Sequence, residues 1–251
     1  MFKTLNALVL REVRYKEADR ILTLLTDTDG KLTVKARGAL RKSSRTAAAT
    51  QQLTWSEMTL FGNRGRWTVN EAVVKEGFEG LRGDMEKLAL GAYLAECIEA
   101  LSVEDQPEPE LLQLGLNCLY ALSRDLAAPE KIKAAFEVRS MCLSGYTPEL
   151  GVCAVCGREP VRADLSLDYG RVCCRACEGM GERVELGDAA LAAMRYLAGA
   201  KAKQLLSFSL PEEDQRRLSR AAERYLLART ERGFSTLDYW KKLRSYRPPA
   251  R

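Results

Sequence analysis

The sequence predicts an α+β multidomain protein, in which a small β-barrel precedes an α-helical domain that carries an inserted four-cysteine zinc module. Three observations predict it. Short apolar segments separated by turn residues fill residues 1–80. From residue 84 the apolar positions recur with the period of a helix, until two C-x-x-C motifs interrupt them. The expected domains are therefore 1–80, then 81–149 with 186–245, and the inserted module 150–185.

Five predicted strands make up the barrel. They cover residues 5–10, 20–26, 31–37, 53–61 and 66–74, with turns at Asp29-Gly30 and at 62–65. Five strands in about seventy residues match a closed barrel of the oligonucleotide-binding (OB) type. In the third strand polar and apolar residues alternate, so its cationic side chains are expected on one solvated face.

Positive charge is concentrated on this predicted barrel, where residues 31–66 hold eight Lys or Arg and one acid, Glu57. A solvated charged face is the simplest interpretation, but OB barrels bind nucleic-acid strands on this face and its loops. We therefore predict contact with single-stranded nucleic acid by Lys31, Lys35, Arg37, Arg41, Lys42, Arg45, Arg64 and Arg66. The interleaved aromatic residues Trp55, Phe61 and Trp67 are predicted to be core residues rather than stacking platforms, because their spacing suits buried positions.

The charge of the whole chain, +5, is unevenly distributed. Residues 1–80 have a balance of +5, residues 81–231 of −5, and residues 232–251 of +5. This pattern favours contact with a polyanion at one or both ends and with protein elsewhere.

Helical periodicity follows a glycine-rich hinge at 77–83, with Asp84 as the expected N-cap of the first helix. Prolines at 107, 109 and 129 fit the first turns of two further helices, and Gly145 is expected to end the last of these. Residues 186–200 and 211–229 resume the helical pattern after the cysteine module. Residues 234–240 are expected to dock or cap, and 248–251 to fray.

The cysteine motifs, Cys153-x-x-Cys156 and Cys174-x-x-Cys177, have the spacing of a four-cysteine zinc site. Residues 168–171 offer the turn of an intervening hairpin. Four thiolates leave Zn²⁺ no open position, so we expect one structural zinc per chain. Four thiolates around Zn²⁺ leave a net charge of about −2. The cations Arg158, Arg171 and Arg175 are expected to offset this negative charge.

Two alternatives are disulfides, which suit secreted chains, and a redox dithiol, which would occur once rather than twice. The other cysteines are expected to be bystanders: Cys173 beside the second motif, and Cys97, Cys118 and Cys142 as small buried hydrophobic residues.

The sequence contains no histidine, which excludes every mechanism that needs an imidazole. Neither G-x-x-x-x-G-K-[ST] nor G-x-G-x-x-G occurs, so nucleotide hydrolysis has no support. Catalysis by carboxylates or lysines stays possible, but no motif indicates it and no catalytic residue is predicted. No signal-peptide pattern and no run of eighteen apolar residues is present, which favours a cytoplasmic protein without membrane contact.

Three stretches carry a resemblance that spans essentially the whole chain. They are 29–43, with Asp29-Gly30-Lys31 and Ala36-Arg37-Gly38-Ala39; 145–157, from Gly145-Tyr146-Thr147-Pro148 to Cys156-Gly157; and, more weakly, 235–239. With them the chain resembles the bacterial RecO family of DNA repair proteins. The resemblance implies an OB barrel that contacts single strands through the 31–45 region, and a zinc ion on the four cysteines.

The resemblance also implies a function, recombination mediation. Such proteins act with RecR, and in many bacteria RecF, to load RecA onto strands coated by single-strand-binding protein (SSB), and they anneal complementary strands. We therefore expect a nucleoid-associated protein that binds single- and double-stranded DNA. Lys131, Lys133 and Arg139 are the candidate contacts for the acidic SSB tail. A nonspecific RNA-binding OB protein and an enzyme with a carboxylate site remain alternatives.

Overall fold

The computed structural model describes residues 1–160, 162–178 and 180–245 of the 251-residue chain. Contacts divide the chain into two compact units, one of Met1–Arg124 with the segment from Phe234 onward, the other of Asp125–Gly233. The three predicted domains rest on periodicity and on the cysteine motifs, divide the chain differently, and stay a prediction. The predicted fraying of 248–251 lies outside the described residues.

A closed five-stranded barrel opens the first unit. Its strands are β1 (Phe2–Tyr15), β2 (Asp19–Thr26), β3 (Gly30–Ala36), β4 (Trp55–Asn63) and β5 (Arg66–Glu76). They follow the order β1-β2-β3-β5-β4, and the barrel closes where β1 pairs with β4. A short parallel pairing of β3 with β5 joins Val34 to Trp67 and Lys35 to Thr68. The OB-type barrel is thus confirmed.

The barrel core forms because apolar side chains alternate inward along each strand. The cluster is aliphatic: Leu5, Ala7, Val9, Leu22, Leu24, Leu32, Val34, Ala36, Ala39, Met58, Leu60 and Val69. β1 continues past a bulge between Val9 and Arg11 and therefore reaches Tyr15, five residues beyond the predicted strand end at 10. The extra residues bring the β1–β2 hairpin to the outer surface that carries the basic residues.

Three helices follow the barrel: α1 (Glu79–Arg82), α2 (Met85–Leu101) and α3 (Pro109–Ser123). Asp84 is the N-cap of α2 as predicted, since its carboxylate accepts hydrogen bonds from the N–H groups of Glu86 and Lys87. Part of the predicted hinge at 77–83 is a helical turn, α1, which contains Gly80 and lies between Gly77 and Gly83. α2 contacts β1, so the barrel and these helices share a core.

The second unit contains α4 (Pro129–Leu143), a three-stranded sheet, α5 (Asp188–Gly199) and α6 (Glu212–Thr230). The sheet consists of β6 (Ala163–Ser166), β7 (Val172–Cys174) and β8 (Arg183–Glu185) in the order β7-β6-β8. β6 and β7 form the predicted hairpin, and Gly170 occupies its turn with a φ of 65°.

The chain then returns to the first unit through α7 (Ser235–Ser245), which packs on α2. The Glu96 carboxylate of α2 accepts hydrogen bonds from the N–H and the hydroxyl of Thr236, at 3.3 and 2.5 Å. Phe234 meets Tyr93 edge-on, with ring centroids 5.7 Å apart. The predicted docking of this segment is confirmed. Within the described residues, no helix combines the length and apolarity that crossing a bilayer requires.

Candidate metal centre and nucleic-acid interface

Two tight turns bring the four predicted cysteines together. The N–H of Gly157 donates to the carbonyl of Cys153, and the N–H of Cys177 to that of Cys174, so each C-x-x-C motif closes on itself. The four Sγ atoms, of Cys153, Cys156, Cys174 and Cys177, all lie within 4.8 Å of one another. The structure thus brings together the same four cysteines that their spacing in the sequence indicated.

The cluster has the size that a metal ion requires. A tetrahedron with metal–sulfur bonds of about 2.3 Å has sulfur–sulfur edges of about 3.8 Å. Cys156 Sγ and Cys174 Sγ are 3.8 Å apart, and the backbone N–H of Cys174 donates to Cys153 Sγ at 3.2 Å. The four thiols fit one tetrahedral metal ion with no ligand position left for solvent.

The thiols differ in how readily they lose a proton. Burial raises the pKa of Cys153, but hydrogen bonds from the N–H groups of Cys156, Cys174 and Val155 outweigh it and bring the pKa to about 6. Burial and the neighbouring thiols Cys153 and Cys156 raise the pKa of Cys174 to about 12. Binding of a metal ion by these four thiols would therefore displace protons and depend on pH.

One of the three predicted charge-neutralising arginines faces the thiols. A hydrogen bond to Cys156 raises the pKa of Arg158, so this guanidinium offsets thiolate charge. The expectation was wrong for Arg171 and Arg175, which instead form ion pairs of 2.6 Å with Glu149 and Glu185. Carboxylates that lie close in the fold compete with the thiolates for these two arginines. The spacing of the arginines along the chain does not reveal such partners.

Cys173 lies outside the cluster, as predicted. Its side chain is fully buried and its sulfur donates to the carbonyl of Asp164 at 3.7 Å. Successive residues of β7 point to opposite faces, so Cys173 and Cys174 cannot both reach the metal position. Cys97 and Cys118 are fully buried as predicted, whereas Cys142 is half-buried.

A groove of about 940 Å³ lies on the outer surface of the barrel. Four cationic side chains line it, from Lys35, Arg37, Arg64 and Arg66, together with aromatic side chains from Tyr15, Phe61 and Trp67. Among the described residues, its lining includes no carboxylate. Such a surface attracts a phosphate backbone and offers apolar walls beside it.

The other predicted cations lie elsewhere. Arg41, Lys42 and Arg45 are exposed on the loop between β3 and β4. Lys31 is engaged within the protein, because its ammonium donates to the carbonyls of Glu99 and Ser102, at 2.9 and 2.6 Å, at the end of α2. Lys31 therefore caps a helix, and alternation along β3 did not reveal this partner.

The loop between β3 and β4, the basic loop, is held at both ends by buried or part-buried hydrogen bonds. The Arg20 guanidinium donates to the carbonyl of Ala47 and the hydroxyl of Thr50, both at 3.0 Å. Asp19 accepts from the N–H of Gly38 at 2.8 Å. The loop thus presents its cations from a fixed backbone.

The prediction that the interleaved aromatic residues are core residues was wrong for Phe61, which is exposed. Trp55 is half-buried, and Trp67 packs partly against the barrel core. The spacing argument failed because Phe61 occupies an outward position of β4, next to the inward Leu60.

Comparison with known families identifies the family in which this barrel and this four-cysteine cluster occur together. The family description "Recombination protein O N terminal" matches residues 1–78, the barrel. The description "Recombination protein O C terminal" matches residues 82–238, which include the four cysteines. The chain belongs to the RecO family of DNA repair proteins.

Individual RecO relatives match over two thirds or more of the chain. A DNA repair protein RecO of Acetivibrio thermocellus is 33% identical over 240 residues, which cover 95% of this chain and 96% of that protein. The RecO of Symbiobacterium thermophilum is 32% identical over 249 residues, covering 96% and 98%. That of Desulforudis audaxviator is 42% identical over 174 residues, covering 68% and 69%.

The RecO barrel contains groove residues that the sequence did not single out. Tyr15, Ile21 and Thr33 line the groove with the predicted cations. Tyr15 lies 4.9 Å from the ammonium of Lys35, measured to the ring centroid. A longer first strand would have indicated Tyr15, because it pairs the residue with Asp19 of the second strand, whose carboxylate contacts Lys35.

The basic residues predicted on the third helix have different environments. Lys133 is 1% exposed and forms ion pairs of 2.7 and 2.9 Å with Glu137 and Glu223, so it was wrong as a surface contact. Arg139 donates to the carbonyl of Ala198. Lys131 is half-buried over the ring of Phe208, 4.6 Å from its centroid.

Proposed function

We propose that this RecO protein is a non-enzymatic recombination mediator that binds single-stranded DNA in the barrel groove. The observation that carries the proposal is the groove lining of four cations beside aromatic rings, without a carboxylate among the described residues. Cations bind any phosphate backbone by releasing its counterions, so the binding would extend to double-stranded DNA and would not depend on sequence.

Annealing follows from the same chemistry. Two complementary strands repel each other through their phosphates, and a basic groove with a basic loop lowers this repulsion while the bases stay free to pair. The step requires no general base and no nucleophile, and a chain without histidine can perform it.

We propose that the metal is one structural Zn²⁺ per chain, held by Cys153, Cys156, Cys174 and Cys177. Four thiolates form a closed tetrahedral site that prefers zinc and leaves no position for substrate. The ion would tie the turn before β6 to the end of β7, and its binding free energy would stabilise this part of the second unit.

Partner contacts complete the proposed role. With RecR, and with RecF where it takes part, the protein would help load RecA onto SSB-coated strands at the nucleoid. Lys131 and Arg139 remain the candidate contacts for the SSB tail, and Lys131 beside Phe208 combines a cation with an apolar wall.

Strand annealing with bare and SSB-coated oligonucleotides tests the proposal. The wild type should anneal both, and a variant with Arg37, Arg41 and Lys42 changed to Ala should lose annealing of bare strands while it still binds the SSB tail peptide. Lys131→Ala should do the reverse. Tighter binding of RNA than of single-stranded DNA, without annealing, would favour the RNA-binding alternative and contradict the proposal.

A further inference from the structure

One row of cross-strand neighbours runs around the outside of the barrel. The register pairs Phe2 with Phe61, Phe61 with Thr68, and Thr68 with Lys35; Lys35 then pairs with Ile21, and Ile21 with Val13. All six side chains are exposed or half-buried, so they point outward. We call this row, Phe2, Phe61, Thr68, Lys35, Ile21 and Val13, the outer band.

The groove follows the middle of the outer band. Phe61, Thr68, Lys35 and Ile21 are all in its lining. Phe2 extends the band by one strand beyond Phe61, and their ring centroids are 5.0 Å apart with an interplanar angle of 48°. A pair of aromatic rings therefore lies at one end of a groove whose centre is cationic.

The two phenylalanines are unusually exposed for their size. Phe2 is 61% exposed and Phe61 is 38% exposed, on neighbouring strands of a barrel whose core is complete without them. The other two aromatic rings of the groove already have partners. Lys3 lies 3.9 Å from the Trp67 ring centroid, and Lys35 lies 4.9 Å from that of Tyr15.

Trp67 is further constrained by the strand beneath it. A Cβ at Gly62 would lie 2.5 Å from the Trp67 ring, so the indole rests directly on this backbone. Trp67 is therefore a structural residue, and the ring surface available to a ligand at this end of the groove belongs to Phe61 and Phe2.

We propose that Phe61, together with Phe2, is a stacking subsite for unpaired bases at the end of the basic groove. The inference rests on the proposed binding of single-stranded DNA and adds the element that selects single strands over duplex. The bases of a duplex are stacked on each other and present no free face, whereas a single strand can place a base on the ring pair.

The positive charge of the groove favours a nucleic acid as the ligand of the Phe61–Phe2 ring pair. The same groove carries Lys35, Arg37, Arg64 and Arg66, so a ligand that covers Phe61 also meets four cations. A strand that stacks a base on an aromatic ring and neutralises phosphates on the cations beside it satisfies both. Stacking contributes about 1–3 kcal/mol per base, which corresponds to about 5- to 150-fold in affinity.

The test compares strands with and without bases. Fluorescence anisotropy measures binding of the full-length protein to an oligothymidylate and to an abasic strand of the same length. Phe61→Ala should weaken binding of oligothymidylate by about 5- to 150-fold and leave binding of the abasic strand and the salt dependence unchanged. Phe61→Trp should restore the affinity.

Tyr239→Ala is the matched control, since Tyr239 is an exposed aromatic residue of α7 outside the groove. It should bind both strands like the wild type, and circular dichroism establishes that all three variants fold. Equal losses on the two strands, or no loss on oligothymidylate, would overturn the stacking subsite. A wild type that binds neither strand would instead overturn the proposed DNA binding itself.

Discussion

At the scale of single residues, Asp19 connects two parts of the basic surface. Its carboxylate forms a 2.8 Å ion pair with Lys35 of the groove and accepts a hydrogen bond from Gly38 at the start of the basic loop. The hydrogen bond from Lys35, followed by that from Gly38, lowers the pKa of Asp19. The carboxylate therefore stays ionised at neutral pH and competes with phosphate for Lys35; this pairing is lost only as the pH falls below the ordinary carboxyl range near 4.

Asp19→Asn should strengthen binding of single-stranded DNA. The amide oxygen can still accept from Gly38, but Lys35 is released, so affinity should rise by up to about 5-fold because exposed ion pairs are weak. The slope of log K against log salt should steepen by about 0.7, corresponding to one further phosphate contact. Titrations by anisotropy at several salt concentrations measure both.

Glu57→Gln removes the same charge from the barrel at a position outside the groove lining. It should leave the slope unchanged. If both variants steepen it equally, net charge rather than the release of Lys35 explains the effect.

Lys133 illustrates a residue whose role depends on partners distant in sequence. Its ammonium is buried between Glu137, which is fully buried, and Glu223 of α6. Burial alone lowers the pKa of Lys133, but the two carboxylates more than compensate and raise it. Lysines on a helix are usually solvated. The sequence does not indicate that Glu223 of α6 lies beside Lys133, because the two residues are far apart along the chain.

Lys133→Ala should lower the free energy of unfolding by about 3–5 kcal/mol, because it leaves the buried carboxylate of Glu137 and the half-buried carboxylate of Glu223 without their cation. Urea denaturation followed by circular dichroism measures the change. Lys201→Ala, at an exposed lysine of the same unit, should change it by less than about 0.5 kcal/mol. Equal stability of the two variants would contradict a structural role for Lys133.

At the scale of elements, the β6–β7 hairpin places two neighbouring cysteines, Cys173 and Cys174, in different environments, and we expect their substitutions to differ in effect. Cys174→Ser should release the bound metal and unfold the segment around residues 150–185, because a thiolate ligand is lost and metal binding is coupled to folding. Cys173→Ser should retain about one metal per chain, since Cys173 points away from the cluster.

Metal analysis of the purified variants, with circular dichroism, distinguishes the two cysteines. Loss of metal from both variants to the same extent would contradict the register. Absence of bound metal from the wild type would contradict the proposed zinc site.

Most elements could be predicted because their signals are local. Alternation predicted β3, a proline in the first turn predicted α3 and α4, and the doubled C-x-x-C motif predicted the cluster. The extension of β1 to Tyr15 could not be predicted, because it depends on a bulge and on pairing with β2. The outward position of Phe61 likewise follows from register between strands.

At the scale of the whole molecule, contacts between distant segments determine the organisation. The sequence predicted a single helical domain interrupted by the cysteine module. In the structure α7 joins α2 in the first unit, because Glu96 accepts from Thr236 and Tyr93 packs on Phe234. Helical periodicity shows which face of a helix is apolar, but it does not show which other helix covers that face.

The central claim is that the barrel groove supplies most of the DNA affinity. The most direct test is the salt dependence of single-strand binding for a variant with Arg37, Arg64 and Arg66 changed to Ala. The matched control changes three exposed cations of the second unit, Lys201, Lys203 and Arg220, to Ala.

If the groove binds the phosphates, the groove variant should bind every sequence more weakly, and the slope of log K against log salt should become shallower by about 2, at about 0.7 for each lost contact. The control should keep the affinity and the slope of the wild type. An unchanged affinity and slope in the groove variant would contradict the claim.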